Sequence, residues 1–214
     1  SVWYVLGEPN RRSGFSVGEI IDTLHNLYAE IKGADPTAKI TGPSVLNWDF
    51  TCIGCFGFQS GHSWLDEFWT TYLDRYGTEP PIDIWAIDIY PIDWWNLPTV
   101  NHQIVIDQVV GIRGYLNNVG QGETPIWITE LGLHWGWDRM LFPGYEGYDE
   151  SCDPLPQPAG TYRTEEVIDY LKGTFDWLDA NADTMNVEKW FLLSSYHDIT
   201  TCNQSAYAGL TLFD

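Results

Sequence analysis

Short apolar runs and one-faced helical segments alternate along nearly the whole chain, and this alternation restricts the fold more than any other feature. Val2 to Leu6 is a β-prone run closed by Gly7, as in a buried strand. Val17, Ile20, Ile21, Leu24, Leu27, Tyr28 and Ile31 then recur at helical spacing, with Ser16 as N-cap and Glu19 three residues on, as in a capping box. Gly33 and the Asp35-Pro36 turn end that helix, and an extended run follows from about Lys39 to Leu46. Leu65, Phe68, Trp69, Tyr72 and Leu73 mark a second helix stopping near Gly77, and IDIWAIDIYP follows as a strand with both faces covered. A third helix is predicted from about His102 to Asn118, a fourth strand in TPIWITE, a last helix from Thr164 to Ala180 and a fifth strand in VEKWFLLSSY. Residues 131 to 162, rich in Trp, Gly and Pro, form a connection well past the usual length.

Strict alternation implies parallel strands joined by right-handed crossovers, so the class is α/β, with residues 1 to 214 forming one domain. Two architectures satisfy the pattern: an open doubly wound sheet, or five consecutive strands of an eight-stranded barrel. A barrel usually has about 250 residues, and three absent β/α units would account for the shortfall. In both, ligand chemistry belongs at the carboxyl ends of the strands.

Ten basic against 30 acidic side chains give a formal charge of -20, which repels phosphate backbones and anionic membranes. Nucleic acid is excluded as a partner on this ground. No apolar run approaches the roughly 18 residues of a membrane span. No Ser-His-Asp order with a G-x-S-x-G elbow appears, since the serine of GFSVG at 14–18 is the N-cap candidate Ser16, and there is no G-x-G-x-x-G or P-loop, which argues against serine-nucleophile and nucleotide chemistry, and no cofactor is expected. Cys52 and Cys55 form a C-x-x-C, but no second pair or His pair stands at metal spacing, so no metal is expected. With Cys152 and Cys202 the even count fits loop disulfides in an oxidising compartment, which leaves pairing open.

Twelve Trp and 12 Tyr make the chain unusually aromatic, and many fall where loops are expected. Flat apolar faces with polar edges suit sugar rings. The predicted strands end in Gly7 and Glu8, in Asn47 and Trp48, in Asp88, Tyr90 and Asp93, in Glu130, and in Tyr196, His197 and Asp198. Glu8 and Glu130 each follow an apolar strand directly, so a parallel sheet raises both from the same rim. Strand-end carboxylates also cap the helices that follow them. Two carboxyls facing each other in an aromatic cleft, however, are the arrangement that breaks a glycosidic bond: one protonates the leaving oxygen, while the other attacks the anomeric carbon or activates water. Like charges a few ångströms apart resist double ionisation, so proximity itself keeps a proton on one of them.

The segments carrying these glutamates resemble a known group. WYVLGEPN is similar to the fourth-strand signature of clan A glycoside hydrolases, and TPIWITELG to their seventh-strand signature, in the versions seen in secreted β-1,3-glucanase-like barrels. DIWAIDIYPIDW resembles the sixth strand, with Tyr90 at the place of the tyrosine that contacts the nucleophile, and YAEIKGADPTAKITGPS resembles the preceding helix and fifth strand. The likeness runs from the fourth strand to just past the eighth. It implies the C-terminal part of a (β/α)8 TIM barrel, a retaining glycosidase with Glu8 as general acid/base and Glu130 as nucleophile, and a β-linked polysaccharide or oligosaccharide as substrate. Two departures stand out: Gly7 where the clan usually has the Asn that holds the sugar 2-hydroxyl, and Asp88 where many members carry His.

Asn47, Trp48, Trp94, Trp135 and Tyr196 are expected to shape sugar subsites, and His134 and His197 to bond hydroxyls or tune a carboxylate. The rival expectation is a non-catalytic carbohydrate-binding barrel in which Gly7 and Asp88 mark lost chemistry. A third, an open-sheet redox or transferase domain, requires the outer strands to be true sheet edges. Five strands of a barrel leave two bare edges, so the isolated chain is expected to be inactive and the complete barrel a secreted monomer.

Overall fold

A computed structural model describes residues 1–11, 14–49, 58–92, 99–133 and 164–193. Among them are five strands, β1 (Val2–Tyr4), β2 (Lys39–Leu46), β3 (Ile84–Ile89), β4 (Ile126–Leu131) and β5 (Val187–Leu192). Between them lie α1 (Val17–Ala34), α2 (Gly61–Tyr76), α3 (Gln103–Asn118) and α4 (Thr164–Met185). All neighbouring strands pair in parallel, in the spatial order β1-β2-β3-β4-β5. A doubly wound sheet would reverse its order at a switch point; this one never does. The described residues therefore form a curled parallel half-barrel.

Local sequence explains the main boundaries. The Ser16 hydroxyl accepts the Glu19 amide, and the Glu19 carboxylate accepts the Ser16 amide at 2.8 Å, closing the capping box that starts α1. At the end of α2, Gly77 takes φ 68°, the left-handed conformation that glycine adopts without a Cβ penalty. Helix α4 runs to Met185, five residues beyond the expected Ala180, because nothing in NADTM breaks it before Asn186 turns to φ 48°.

The main core fills the space between sheet and helices: Trp85, Ile87 and Ile89 of β3 and Ile126, Ile128 and Leu131 of β4 join Leu24, Leu65, Phe68, Val109, Ile112 and Leu116. Strand alternation sends Ala86, Asp88 and Tyr90 to the opposite, concave side. At Gly42 (φ 116°) a Cβ would lie 2.0 Å from the Val5 carbonyl oxygen, so only glycine lets β2 run so close to the chain after β1.

Strand β1 departs from expectation. It is shorter than Val2 to Leu6, and Val2, Trp3 and Tyr4 are 45–50% exposed, not buried. It pairs on one side only among the described residues, so half its surroundings are open. Phe191 and Leu192 of β5 are likewise exposed at the other edge. No helix among the described residues is long and apolar enough to cross a membrane.

Candidate active site

Glu8, Asp88 and Glu130 converge at the carboxyl-end rim, with one carboxylate oxygen from each lying within 4.8 Å of the others. Three elements bring them together. Strand β1 gives way to a tight segment in which Leu6 (φ 61°) and Glu8 (φ 46°) adopt left-handed backbone, uncommon for residues with side chains and concentrated where function over-determines the chain. Gly7 bridges to Ser44, and the Glu8 amide donates to the Ser44 carbonyl at 2.8 Å.

Asn10 locks this segment in place. It is buried; its Nδ2 donates to the carbonyls of Leu46 (2.8 Å) and Gln59 (3.0 Å), and its Oδ1 accepts the Leu46 amide (2.7 Å). Arg11 then turns back to Glu8, Nη1 to Oε2 at 2.5 Å. Neither Asn10 nor Arg11 was anticipated as part of the site, although their place in GEPNR, directly after the glutamate, was the available signal.

Strands β3 and β4 supply the other two carboxyls through an irregularity. Ile87 pairs with Ile128, but Asp88 pairs with Glu130, so Thr129 is an extra residue on β4. Such a bulge re-aims side chains. Thr129 and Glu130, which regular alternation would send to opposite faces, both meet the concave side of β3: the Thr129 hydroxyl donates to Asp88 Oδ1 at 2.6 Å, and the Tyr90 hydroxyl donates to Glu130 Oε2 at 2.5 Å. Ser44 of β2 continues the chain, 2.7 Å from the Thr129 hydroxyl.

The three acids differ in their surroundings. Asp88 is wholly buried, and its Oδ2 has no hydrogen-bond partner among the described residues. Burial pushes its pKa up to about 7; the hydroxyls of Thr129 and Ser44 oppose this, while the charges of Glu130 and Glu8 add to it. Glu130 is also raised, by burial first and Glu8 second, with the Tyr90 hydrogen bond acting to lower it. Burial and Glu130 together hold the Tyr90 phenol protonated far above its ordinary range. Tyr4 is pushed up to about 12, by burial of its hydroxyl end and then by the charge of Asp88. Its hydroxyl oxygen would lie 3.1 Å from a Cβ at position 7, so it occupies room that a side chain there would need.

The spacing alone would admit a hard cation. Each carboxyl already accepts a protein hydrogen bond, however, from Arg11, Thr129 or Tyr90, and burial of Asp88 disfavours the charged form that a cation would need. The set suits proton sharing better than chelation.

Two expected subsite residues are buried. Asn47 is buried, with its Nδ2 donating to the Tyr90 carbonyl and its Oδ1 accepting the Tyr90 amide, both at 2.8 Å, so it holds the Tyr90 backbone in place. Trp48 is 3% exposed and belongs to the helix-side core, its ring stacked on His62 and tilted against Tyr115. A Cβ on Gly111 of α3 would lie 2.4 Å from Trp48 Cδ1. The left-handed turn at Asn47 (φ 51°) leads the chain outward after β2, a change of direction that strand-end counting does not register. Trp94, Trp135, His134, Tyr196, His197 and all four cysteines lie outside the described residues.

The family model described as "Glycosyl hydrolase catalytic core" matches residues 10–211. Among solved structures, the chain is similar to an exo-β-1,3-glucanase of GH128 subgroup V from Cryptococcus neoformans, at 21% identity and TM-score 0.53, covering 100% of this chain and 63% of that one. It is also similar to a GH128 subgroup II endo-β-1,3-glucanase from Pseudomonas viridiflava, at 16% identity and TM-score 0.57, covering 99% and 62%. A glucosidase from Croceicoccus marinus shares 14% identity at TM-score 0.51, covering 89% and 32%. This chain thus spans less than two thirds of each of these proteins. No curated protein matches it.

Proposed function

Because the chain belongs to the glycosyl hydrolase catalytic core family, we propose that it carries the catalytic centre of a retaining glycoside hydrolase acting on a β-linked glucan, with Glu130 as nucleophile and Glu8 as general acid/base. The observation that carries this is the meeting of Glu8 and Glu130 on one rim, oxygen to oxygen within 4.8 Å. Retaining enzymes hold their carboxyls about 5 to 5.5 Å apart, and inverting ones about 6.5 to 9.5 Å to admit a water. The short separation therefore favours direct attack. Glu130 Oε adds to the anomeric carbon as the bond to the leaving oxygen breaks, and Glu8 passes its proton to that oxygen. Glu8, now a carboxylate, takes a proton from water, whose oxygen displaces Glu130 from the sugar. The Tyr90 hydrogen bond favours the anionic form of Glu130 that the first step requires.

The β-1,3 linkage is the first to test, since two of the similar structures are β-1,3-glucanases. We place β1 to β5 as strands four to eight of a (β/α)8 barrel: their sequential order and the exposed apolar side chains on both outer strands support further strands at each edge. In the protein with the barrel complete, E8Q and E130Q should each abolish release of reducing sugar from β-1,3-glucan. Undiminished turnover in either variant removes the mechanism. A wild-type protein that binds the glucan without cleaving it instead supports a carbohydrate-binding barrel.

A further inference from the structure

Ser44 of β2 is bonded toward both glutamates, through its backbone on one side and its side chain on the other. On the Glu8 side, its carbonyl accepts the Glu8 amide at 2.8 Å and its amide donates to the Leu6 carbonyl at 3.0 Å. On the Glu130 side, its hydroxyl meets that of Thr129 at 2.7 Å. Thr129 gives its one hydroxyl proton to Asp88 Oδ1 at 2.6 Å, so Ser44 donates in the bond between the two hydroxyls. The strands involved are not neighbours. β2 and β4 flank β3 and, at the usual strand spacing, stand about 9–10 Å apart. Inside a barrel, side chains from alternate strands meet in layers, ordinarily of bulky branched apolar residues. Here the contact is a hydrogen bond, and Ser44 is fully buried.

Thr129 is the residue whose place the backbone ladder leaves open. Between Ile128 and Leu131, β4 carries both Thr129 and Glu130 where β5 carries only Phe191, so the extra residue seen against β3 belongs to β4 itself. Regular alternation from Ile128 would turn Glu130 into the helix-side core and Leu131 into the cleft. Leu131 instead lies in the core, and Glu130 meets Tyr90. A bulged residue is left unpaired, so other contacts must fix it. We propose that Ser44 and Thr129 are positioning residues: their hydroxyl pair ties the bulge of β4 to the strand that holds the Glu8 segment, and so sets the separation of Glu8 and Glu130. This rests on the glycosidase assignment above. Asp88 ends the tie as its acceptor. A retaining pair works at about 5 to 5.5 Å, and a misplacement of about 1 Å can cost about 100-fold in rate. A tie that fixes this distance therefore acts on turnover and leaves sugar affinity alone.

The test uses the full-length protein, with active sites counted by complete labelling with a 2-deoxy-2-fluoro glucoside and kcat expressed per labelled site. T129V keeps the branched side chain and removes the hydroxyl; S44A removes its partner and leaves Thr129 bonded to Asp88. Each should lower kcat on β-1,3-glucan by roughly 10- to 100-fold, with KM within about threefold of wild type. T129S, which keeps the hydroxyl, should hold kcat within about threefold of wild type. Either single change cuts the same tie, so the S44A/T129V double variant should be little slower than the slower single one. A merely structural role would lower the number of labelled sites and leave kcat per site unchanged. A kcat within about threefold of wild type in T129V or S44A, a T129S variant as slow as T129V, or losses that multiply in the double variant would overturn the proposal. If either single variant fails to fold, the other decides alone. Full turnover in E8Q and E130Q would defeat the glycosidase assignment itself, an outcome separate from all of these.

Discussion

The Tyr90 hydroxyl donates to Glu130 Oε2 at 2.5 Å, and Asn47 fixes the Tyr90 backbone through both its amide and its carbonyl. The nucleophile candidate is thus oriented by the residue that follows β3, one strand away, and the orienting tyrosine is held by the residue that follows β2. Of the influences on Glu130, Tyr90 is the main one that lowers its pKa. Removing it with Y90F should raise that pKa further, so the acid limb of the kcat/KM profile moves to higher pH. A hydrogen bond to a charged group contributes about 1.5–3 kcal/mol, so the loss at the optimum should be roughly 10- to 100-fold. An unmoved acid limb would show that Tyr90 does not tune the nucleophile.

Asp88 should leave its mark on stability. Its folded pKa of about 7 lies above the ordinary value of 3.8, so the native state binds this proton more tightly than the unfolded chain does. The stabilisation is fully present below pH of about 4 and is lost as pH rises through about 7. D88N removes the effect. Its stability relative to wild type should therefore improve across that window by a few kcal/mol, an order-of-magnitude figure, and remain constant above and below it. Chemical denaturation at several pH values checks this.

Trp48 gives a clean separation between core and subsite. Buried between α2 and α3, it should behave as a core aromatic: W48A should lower stability by about 3–5 kcal/mol while the folded fraction keeps its KM. A raised KM with unchanged melting would instead return Trp48 to the sugar.

Asn10 ties the Glu8 segment to the end of β2 through three side-chain hydrogen bonds. N10A removes all three, at a cost of about 3 kcal/mol. Displacing Glu8 by even about 1 Å can cost up to about 100-fold in rate. The expected signature is lower kcat and a lower melting temperature together, measured by steady-state kinetics and calorimetry.

These residues also mark how far the sequence can be read. The capping box at Ser16 and Glu19 and the span of β2 are legible because local spacing determines them. The meeting of Glu8 and Glu130 is legible because parallel strands bring their carboxyl ends to one rim whatever their separation along the chain. Three features are not. The extra residue Thr129 breaks alternation without any glycine or proline to announce it, yet it turns both Thr129 and Glu130 toward Asp88 and Tyr90. The outward turn at Asn47 sends Trp48 into the helix-side core, although its place at a strand end suggested the cleft. The exposure of β1 depends on how many neighbours the strand has, which an apolar run by itself does not state.

The central claim is that Glu130 bonds to the sugar while Glu8 manages the proton. Incubating the full-length enzyme with a 2-deoxy-2-fluoro glucoside bearing a good leaving group slows breakdown of the glycosyl enzyme enough to locate the label by peptide mass spectrometry. Our account predicts one fluoroglycosyl group per chain, on Glu130, absent in E130Q and forming in E8Q with this activated donor, which needs no proton from the enzyme. Turnover of glucan without a trapped intermediate, or a label on any other residue, would contradict it.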